Sequence, residues 1–355
     1  MSPALLREIG WHMTSGAAPN VNDRIIDEFE LKVRRRMKDE GLSTMPRGAH
    51  PHHHGIVTAE LRVPGDVRPD LQKGLFAKNG TYPAYVRFSN AATEGFPDAG
   101  IRRHDGAPDA RGMAIKVMGV PGAKLLDDEQ HTQDVVLVNA PVFIARSPEH
   151  FLEFMALRRA MVAASPATLP ALQREMVQKF PLVLQLRTVI RDPLTQLYWS
   201  QTPYALGSGL IVKYLAQPRI LDTVALTPAE AKGNPDPDYL RAAMARTLRG
   251  EVVFDIKVQR RLDHMPIDDP TVEWKESESP FVSVATLVIP SQAFMSPAQM
   301  AFAEHASFNP WHSLEAHRPL GRINQSRRDV YIEMLKRRHT TNGVVASEPT
   351  GTNDF

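Results

Sequence analysis

Four short runs between residues 55 and 140 alternate apolar and polar side chains. They are GIVTAELRV (55–63), YPAYVRFS (82–89), GMAIKVMGV (112–120) and DVVLVNA (134–140). Charged and Gly/Pro-rich segments separate them. Alternation with period two marks strands with one face buried. A meander of such strands favours an antiparallel sheet or barrel over helices wound on a parallel sheet. A second block repeats the pattern at SGLIVKYLA (208–216), VVFDIKVQRRL (252–262) and PFVSVATLVIP (280–290).

Helical periodicity fills the spaces around the two blocks. Ile25, Phe29, Val33 and Met37 recur every fourth residue, and Gly41 follows as a stop, which predicts a helix over 22–40. Ser147-Pro148-Glu149 reads as the capped start of a helix running to about residue 163. Further helices are expected at 167–180, 182–191, 236–248, 297–306 and 326–339. No internal repeat or linker divides the chain. The expected organisation is an arm over 1–19, one α+β domain over 20–340 and a loose tail over 341–355.

Bulk properties remove several function classes. A formal net charge of +2 over 355 residues gives no reason to expect a nucleic-acid partner. The absence of cysteine excludes disulfides, iron–sulfur clusters and thiolate-ligated metals, and leaves no thiol for an oxidant to attack. No stretch reaches the roughly 20 apolar residues of a membrane span. The N-terminal residues MSPALLREIGWHMTSG lack a signal-peptide core, so a cytoplasmic location with no membrane partner is the default expectation.

Several segments carry chemistry. Arg327, Tyr331 and Arg338 are spaced by four and seven, so a helix would turn them to one face. Two cations beside a phenol favour its ionised form, a hard ligand for ferric iron. Arg47-Gly48-Ala49-His50-Pro51-His52-His53-His54 precedes the first strand. A metal role for the whole run is disfavoured, because extended residues alternate sides and no acidic cluster lies nearby in sequence. One imidazole acting as acid–base group needs an orienting partner, and Ser89 offers one. Arg87 alternates onto the same strand face as Ser89, so it could meet an anion there. Asn139 ends the 134–140 run, where its amide could steady a small oxygen ligand. Phe143, Phe151 and Phe154 are flat side chains suited to a core or to a flat cofactor.

Taken together, RGAHPHHHGIVTAEL, YVRFSNA, DARGMAIKV, NAPVFIARSPEHF and SRRDVYIEMLKRR resemble, in order, signatures of the haem catalase superfamily, in its small, trimmed branch. The resemblance covers about residues 20–340. It implies an antiparallel β-barrel core surrounded by helices, and haem b as cofactor with Tyr331 as the axial ligand of the iron. His50 would be the distal histidine, with Ser89 and Asn139 as its catalytic companions. Arg47, Arg87, Arg327, Arg338, Phe143 and Phe151 would contact the haem. The Asn139 position is displaced by one residue from the family pattern, so Val138 competes for the distal amide site. The implied activity is peroxide decomposition, with hydrogen peroxide or small organic peroxides as substrates, an organic electron donor where the enzyme acts as a peroxidase, and a homo-oligomeric assembly. The alternatives are a catalase-like isomerase or lyase of organic or lipid hydroperoxides, a non-catalytic haem-binding module, and a metal-binding protein built on the histidine run.

Overall fold

A computed structural model describes residues 19–91, 105–220, 238–345 and 347–352. The arm expected over 1–19 lies, but for Pro19, outside the described residues. The strands are β1 (His52–Val63), β2 (Gly80–Asn90), β3 (Arg111–Val117), β4 (Gln133–Val138), β5 (Tyr198–Trp199), β6 (Tyr204–Ala205), β7 (Ile211–Pro218), β8 (Val252–Arg260) and β9 (Phe281–Ile289). They form one antiparallel sheet in the order β5-β4-β3-β2-β1-β9-β8-β7-β6. Strand β5 also pairs with β7, which closes eight of the nine strands into a barrel and leaves β6 outside the ring. The closure runs through β5 alone, by one residue pair to β4 and two to β7.

Period-two alternation sorts the strand residues into an inside and an outside. Val86, Phe88, Met113, Ile115, Leu137, Tyr214, Phe254 and Leu287 fill the barrel interior. Their neighbours Tyr85, Ala114 and Val136 face outward, where Tyr85 is joined by Phe308 and Ala303. All seven strand runs read from the sequence are strands. The two very short strands β5 and β6 were not foreseen.

Seven helices are described: α1 (Val21–Glu40), α2 (Pro148–Val162), α3 (Leu169–Lys179), α4 (Leu182–Gln185), α5 (Tyr239–Thr247), α6 (Pro297–His305) and α7 (Arg322–Asn342). Asn20 and Asp23 cap α1 reciprocally, and Gly41 ends it in the left-handed conformation with φ 64°. Ser147 caps α2 by accepting from the His150 amide, with Pro148 in the first turn. Ile25, Ile26, Leu152, Met155 and Val330 lock α1, α2 and α7 together beside the barrel.

Two expected helices differ. The one expected over 182–191 stops at Gln185, because Thr188 exchanges both backbone hydrogen bonds with Asp109, at 3.1 and 3.0 Å. A tertiary bridge there outweighs local helix preference. The last helix is longer at both ends than 326–339. It begins after Gly321 and runs to Asn342, where Gly343 closes it with φ 64°. Beyond it, Glu348 accepts from the amides of Gln130 and His131, which ties residues 347–352 to the loop before β4. Among the described residues, no helix is long and apolar enough to cross a membrane.

Candidate active site

The site lies outside the barrel, between the outward face of β2–β4 and the helices α1, α2 and α7. Cross-strand pairing builds its wall. Arg87 opposes Ala114 and Ser89 opposes Gly112, while Ala114 and Gly112 oppose Val136 and Val138. The small side chains on β3 leave space above the sheet. A cavity of about 560 Å³ opens there, and a smaller lobe of about 130 Å³ adjoins it. The larger volume is in the range of small-molecule and cofactor sites, roughly 300–1,000 Å³. His50, Tyr331, Phe29, Ala49, Val136 and Val330 border both lobes.

His50 sits in the segment that leads into β1. Its φ is +50°, a left-handed conformation that costs a non-glycine residue roughly 1–2 kcal/mol. Three contacts hold it there. Its amide donates to Ala91 O at 3.3 Å, its carbonyl accepts from Arg87 Nη2 at 3.1 Å, and Nδ1 shares a 3.1 Å hydrogen bond with Ser89 Oγ. Gly112 lies directly beneath the ring. A Cβ there would stand 2.4 Å from Nδ1 and 2.9 Å from Ser89 Oγ, so only glycine admits the imidazole. Desolvation pushes the His50 pKa down to about 4, opposed by Asp109 and reinforced by Arg87. The ring is therefore a neutral base near pH 7.

Helix α7 supplies the opposing group. Arg327 Nη2 donates to Tyr331 Oη at 3.3 Å, and the guanidinium lies 5.3 Å from the phenol ring centroid. Arg327 is held in turn by Asn324 Oδ1 at 3.1 Å. Burial alone lowers the Arg327 pKa, but Tyr331 and Tyr204 overcome it and the net shift is upward. Asn324 was not foreseen as part of the site, although it lies three residues before Arg327, one turn along the same face.

Arg47, Arg87 and Arg338 gather at the smaller lobe. Arg87 Nε donates to Ala303 O at 2.9 Å, and Arg47 and Arg338 both donate to the carbonyl of Glu304, at the end of α6. Desolvation lowers all three pKa values, that of Arg338 to about 8, and Arg47 Nε is buried without a partner. A guanidinium keeps its proton in a protein. The carboxylate of Glu304 offsets all three in part, and three cations against this one anion leave the lobe suited to an anionic group.

Phe143 and Phe151 line the larger lobe, with ring centroids 5.4 Å apart, and Phe154 borders it too. Phe29, read from the sequence as a helix core residue, also turns out to face the cavity. Asn139 is the one expected site residue that the structure does not bring to this group. Its Oδ1 accepts from the Arg111 amide at 2.6 Å, and its Nδ2 donates to Thr188 Oγ1 at 3.0 Å. Val138 lines the cavity instead.

The fold has known counterparts. The chain overlays a fungal catalase with TM-score 0.66 at 18% identity, covering 92% of this chain and 65% of that one. A bacterial catalase gives TM-score 0.64 at 20% identity, covering 93% and 63%. Catalase A from Saccharomyces cerevisiae gives 0.66 at 16% identity, covering 97% and 76%. A catalase-related peroxidase of Mycolicibacterium paratuberculosis is 29% identical over 216 residues, which are 59% of this chain and 63% of that relative. The fold is that of the catalases. No family model matches the sequence. The chain covers less than two thirds of the fungal and bacterial catalases and of the catalase-related peroxidase that it matches.

Proposed function

We propose that the chain is a haem-dependent enzyme that decomposes peroxides, as a catalase or a peroxidase. One observation carries the reading. A phenol bonded by an arginine and a neutral imidazole bonded by a serine border the same aromatic-walled cavity. The donor set fits haem b. Tyr331 would hold the iron through its phenol oxygen, Phe143 and Phe151 would pack against the ring, and Arg47, Arg87 and Arg338 would meet its carboxylates. Bound in this way, the haem would supply two-electron redox chemistry at iron.

The chain's own residues would supply the proton transfers. Nε2 of His50, uncharged at neutral pH, takes a proton from one peroxide oxygen and returns it to the other, so that water can leave. Ser89 fixes the ring through Nδ1. The donor bond from Arg327 steadies the Tyr331 oxygen. The substrates would be hydrogen peroxide or small organic peroxides, with an organic electron donor in the peroxidase mode, in the cytoplasm and as a homo-oligomer.

An optical spectrum of the purified protein, followed by oxygen evolution on adding hydrogen peroxide, tests the proposal. Tyr331→Phe should abolish or remodel the haem spectrum, and His50→Ala should keep the haem while lowering turnover at least 10²-fold. Unchanged absorbance in the first variant, or wild-type turnover in the second, refutes the assignment. The presence of Val138 where an amide was expected favours a second reading, isomerisation or lysis of organic hydroperoxides. A rearranged lipid product without oxygen release would identify it.

A further inference from the structure

The histidines after His50 have no part in that chemistry, and none of His52, His53 or His54 borders the cavity. The pairing of β1 with β2 slips between His53 and Gly55, so His54 is the extra residue of a β-bulge. Bulges re-aim side chains. Here the bulge brings the His52 and His54 rings to one place, edge to face with centroids 5.5 Å apart. Strand alternation sets His53 apart from the other two, near Glu304. Acidic partners absent from the local sequence arrive from elsewhere in the chain. Asp105 Oδ1 lies 3.7 Å from His52 Nε2 and 3.9 Å from His54 Nδ1, and Asp238 Oδ1 lies 3.3 Å from His52 Nε2.

The proton inventory makes this cluster unusual. Arg111 Nη1 donates to Asn90 Oδ1, and Asn90 Nδ2 donates to Asp105 Oδ1 at 2.9 Å, so the orientation of the Asn90 amide is fixed. His54 Nε2 meets the same Asn90 Oδ1 at 2.9 Å and must carry the proton of that bond. Nδ1 of His54 is then a bare lone pair. It is buried without a hydrogen-bond partner, on a residue 1% exposed, and it faces a carboxylate oxygen. His52 Nε2 is likewise buried without a hydrogen-bond partner. Lone pairs facing one another across less than 4 Å repel unless a cation stands between them.

A second cluster shows the contrast. Glu129, Asp134 and His312 also converge, but the buried ammonium of Lys116 reaches both carboxylates there. That site contains its own cation. At His52, His54 and Asp105 no lysine or arginine is shown hydrogen-bonded to the carboxylate among the described residues, and Arg111 favours its ionised form only through space. The guanidinium of Arg111 instead bonds the backbone carbonyl of Asp105, and that of Arg241 bonds the carbonyls of His53 and His54.

The geometry points to a site for a zinc-type divalent cation, held by His52 Nε2, His54 Nδ1 and Asp105 Oδ1 and capped by Asp238. Tetrahedral ligation with bonds near 2.0–2.1 Å sets ligand atoms about 3.3 Å apart. The three inner ligand atoms already lie within 4.8 Å of one another, and the Asp238 pair is at that spacing. Two imidazole nitrogens with carboxylate oxygens suit zinc better than calcium or magnesium, which prefer all-oxygen shells. The Asn90 bond to the far nitrogen of His54 is the usual outer support of a metal-bound imidazole. Asp238 is half exposed, which gives the ion a way in. Occupied, the site would tie the start of β1, the loop before β3 and the start of α5 to one point.

The test uses the full chain without an affinity tag, stripped with a chelator and titrated with Co²⁺ and Zn²⁺. One equivalent of Co²⁺ per chain should bind with the visible d–d bands of four-coordinate cobalt, and Zn²⁺ should displace it. His52→Ala should remove stoichiometric uptake, and Asp238→Asn should weaken it at least tenfold. Both residues are partly exposed, so both variants should fold, and their haem content should match the wild type. If the stripped wild type takes up only substoichiometric metal, or if His52→Ala binds as the wild type does, the site does not exist. Neither result depends on peroxide turnover, so this inference and the enzymatic reading fail separately.

Discussion

Gly112→Ala is the sharpest probe of the distal side. A Cβ at this position would stand 2.4 Å from His50 Nδ1 and 2.6 Å from Cε1, whereas ordinary contact begins at 3.4 Å. The ring must therefore withdraw by about 1 Å. Strand β3 cannot give way instead, because Gly112 is paired on both sides, with Ser89 and Val138. Withdrawal breaks the 3.1 Å bond to Ser89, worth about 1 kcal/mol, and releases the left-handed backbone of His50 from one of its three restraints. Misplacing an acid–base group by about 1 Å costs on the order of 10²-fold in rate, or about 2.7 kcal/mol of barrier. Oxygen evolution per haem is the assay, with the haem spectrum as the control, since Tyr331 lies on a different element. The expected result is a normal spectrum with turnover reduced about 100-fold. A normal spectrum with wild-type turnover would mean that the imidazole under Gly112 takes no part in proton transfer.

Two further predictions concern stability. His312 bonds Asp134 at 2.9 Å and Asp128 at 3.0 Å; burial alone would lower its pKa, but these bonds raise it to about 9. The folded state thus holds a proton that the unfolded chain releases near pH 6.5, so this contribution is complete below 6.5 and lost as pH rises through 9. Unfolding free energy should fall by up to about 3 kcal/mol across that window, and His312→Asn should flatten the slope; a rise in wild-type stability from pH 6.5 to 9 would contradict the assignment. Gly321 precedes α7 with φ +83°, and a Cβ there would meet Ile267 O at 2.6 Å. Gly321→Ala should cost about 2 kcal/mol or more in denaturant unfolding, and an unchanged midpoint would show that the chain relaxes around it.

The sequence revealed what depends on short-range period. The seven longer strands show alternation, and the face of α7 that carries Arg327 and Tyr331 follows from a spacing of four. Strands β5 and β6 have two residues each, too few to display a period, so the closure of the barrel could not be read. The end of α4 depends on Thr188 meeting Asp109, a contact 79 residues apart in the chain. The same holds within the site. Gly112 matters because of what lies across β2, and whether Asn139 or Val138 faces the cavity is decided by the register of β3 with β4. The histidine run shows the limit from the other side, because its acidic partners are brought in from positions 105 and 238.

Strand β5 is the narrowest seam of the ring: it meets β4 through one residue pair, Val138 with Trp199, and meets β7 through two. Hydrogen exchange should therefore unzip the ring at this stitch well before the long β1–β2 ladder gives way. Because Val138 forms both the stitch and part of the cavity wall, local breathing of the barrel and widening of the chamber beside it are one motion.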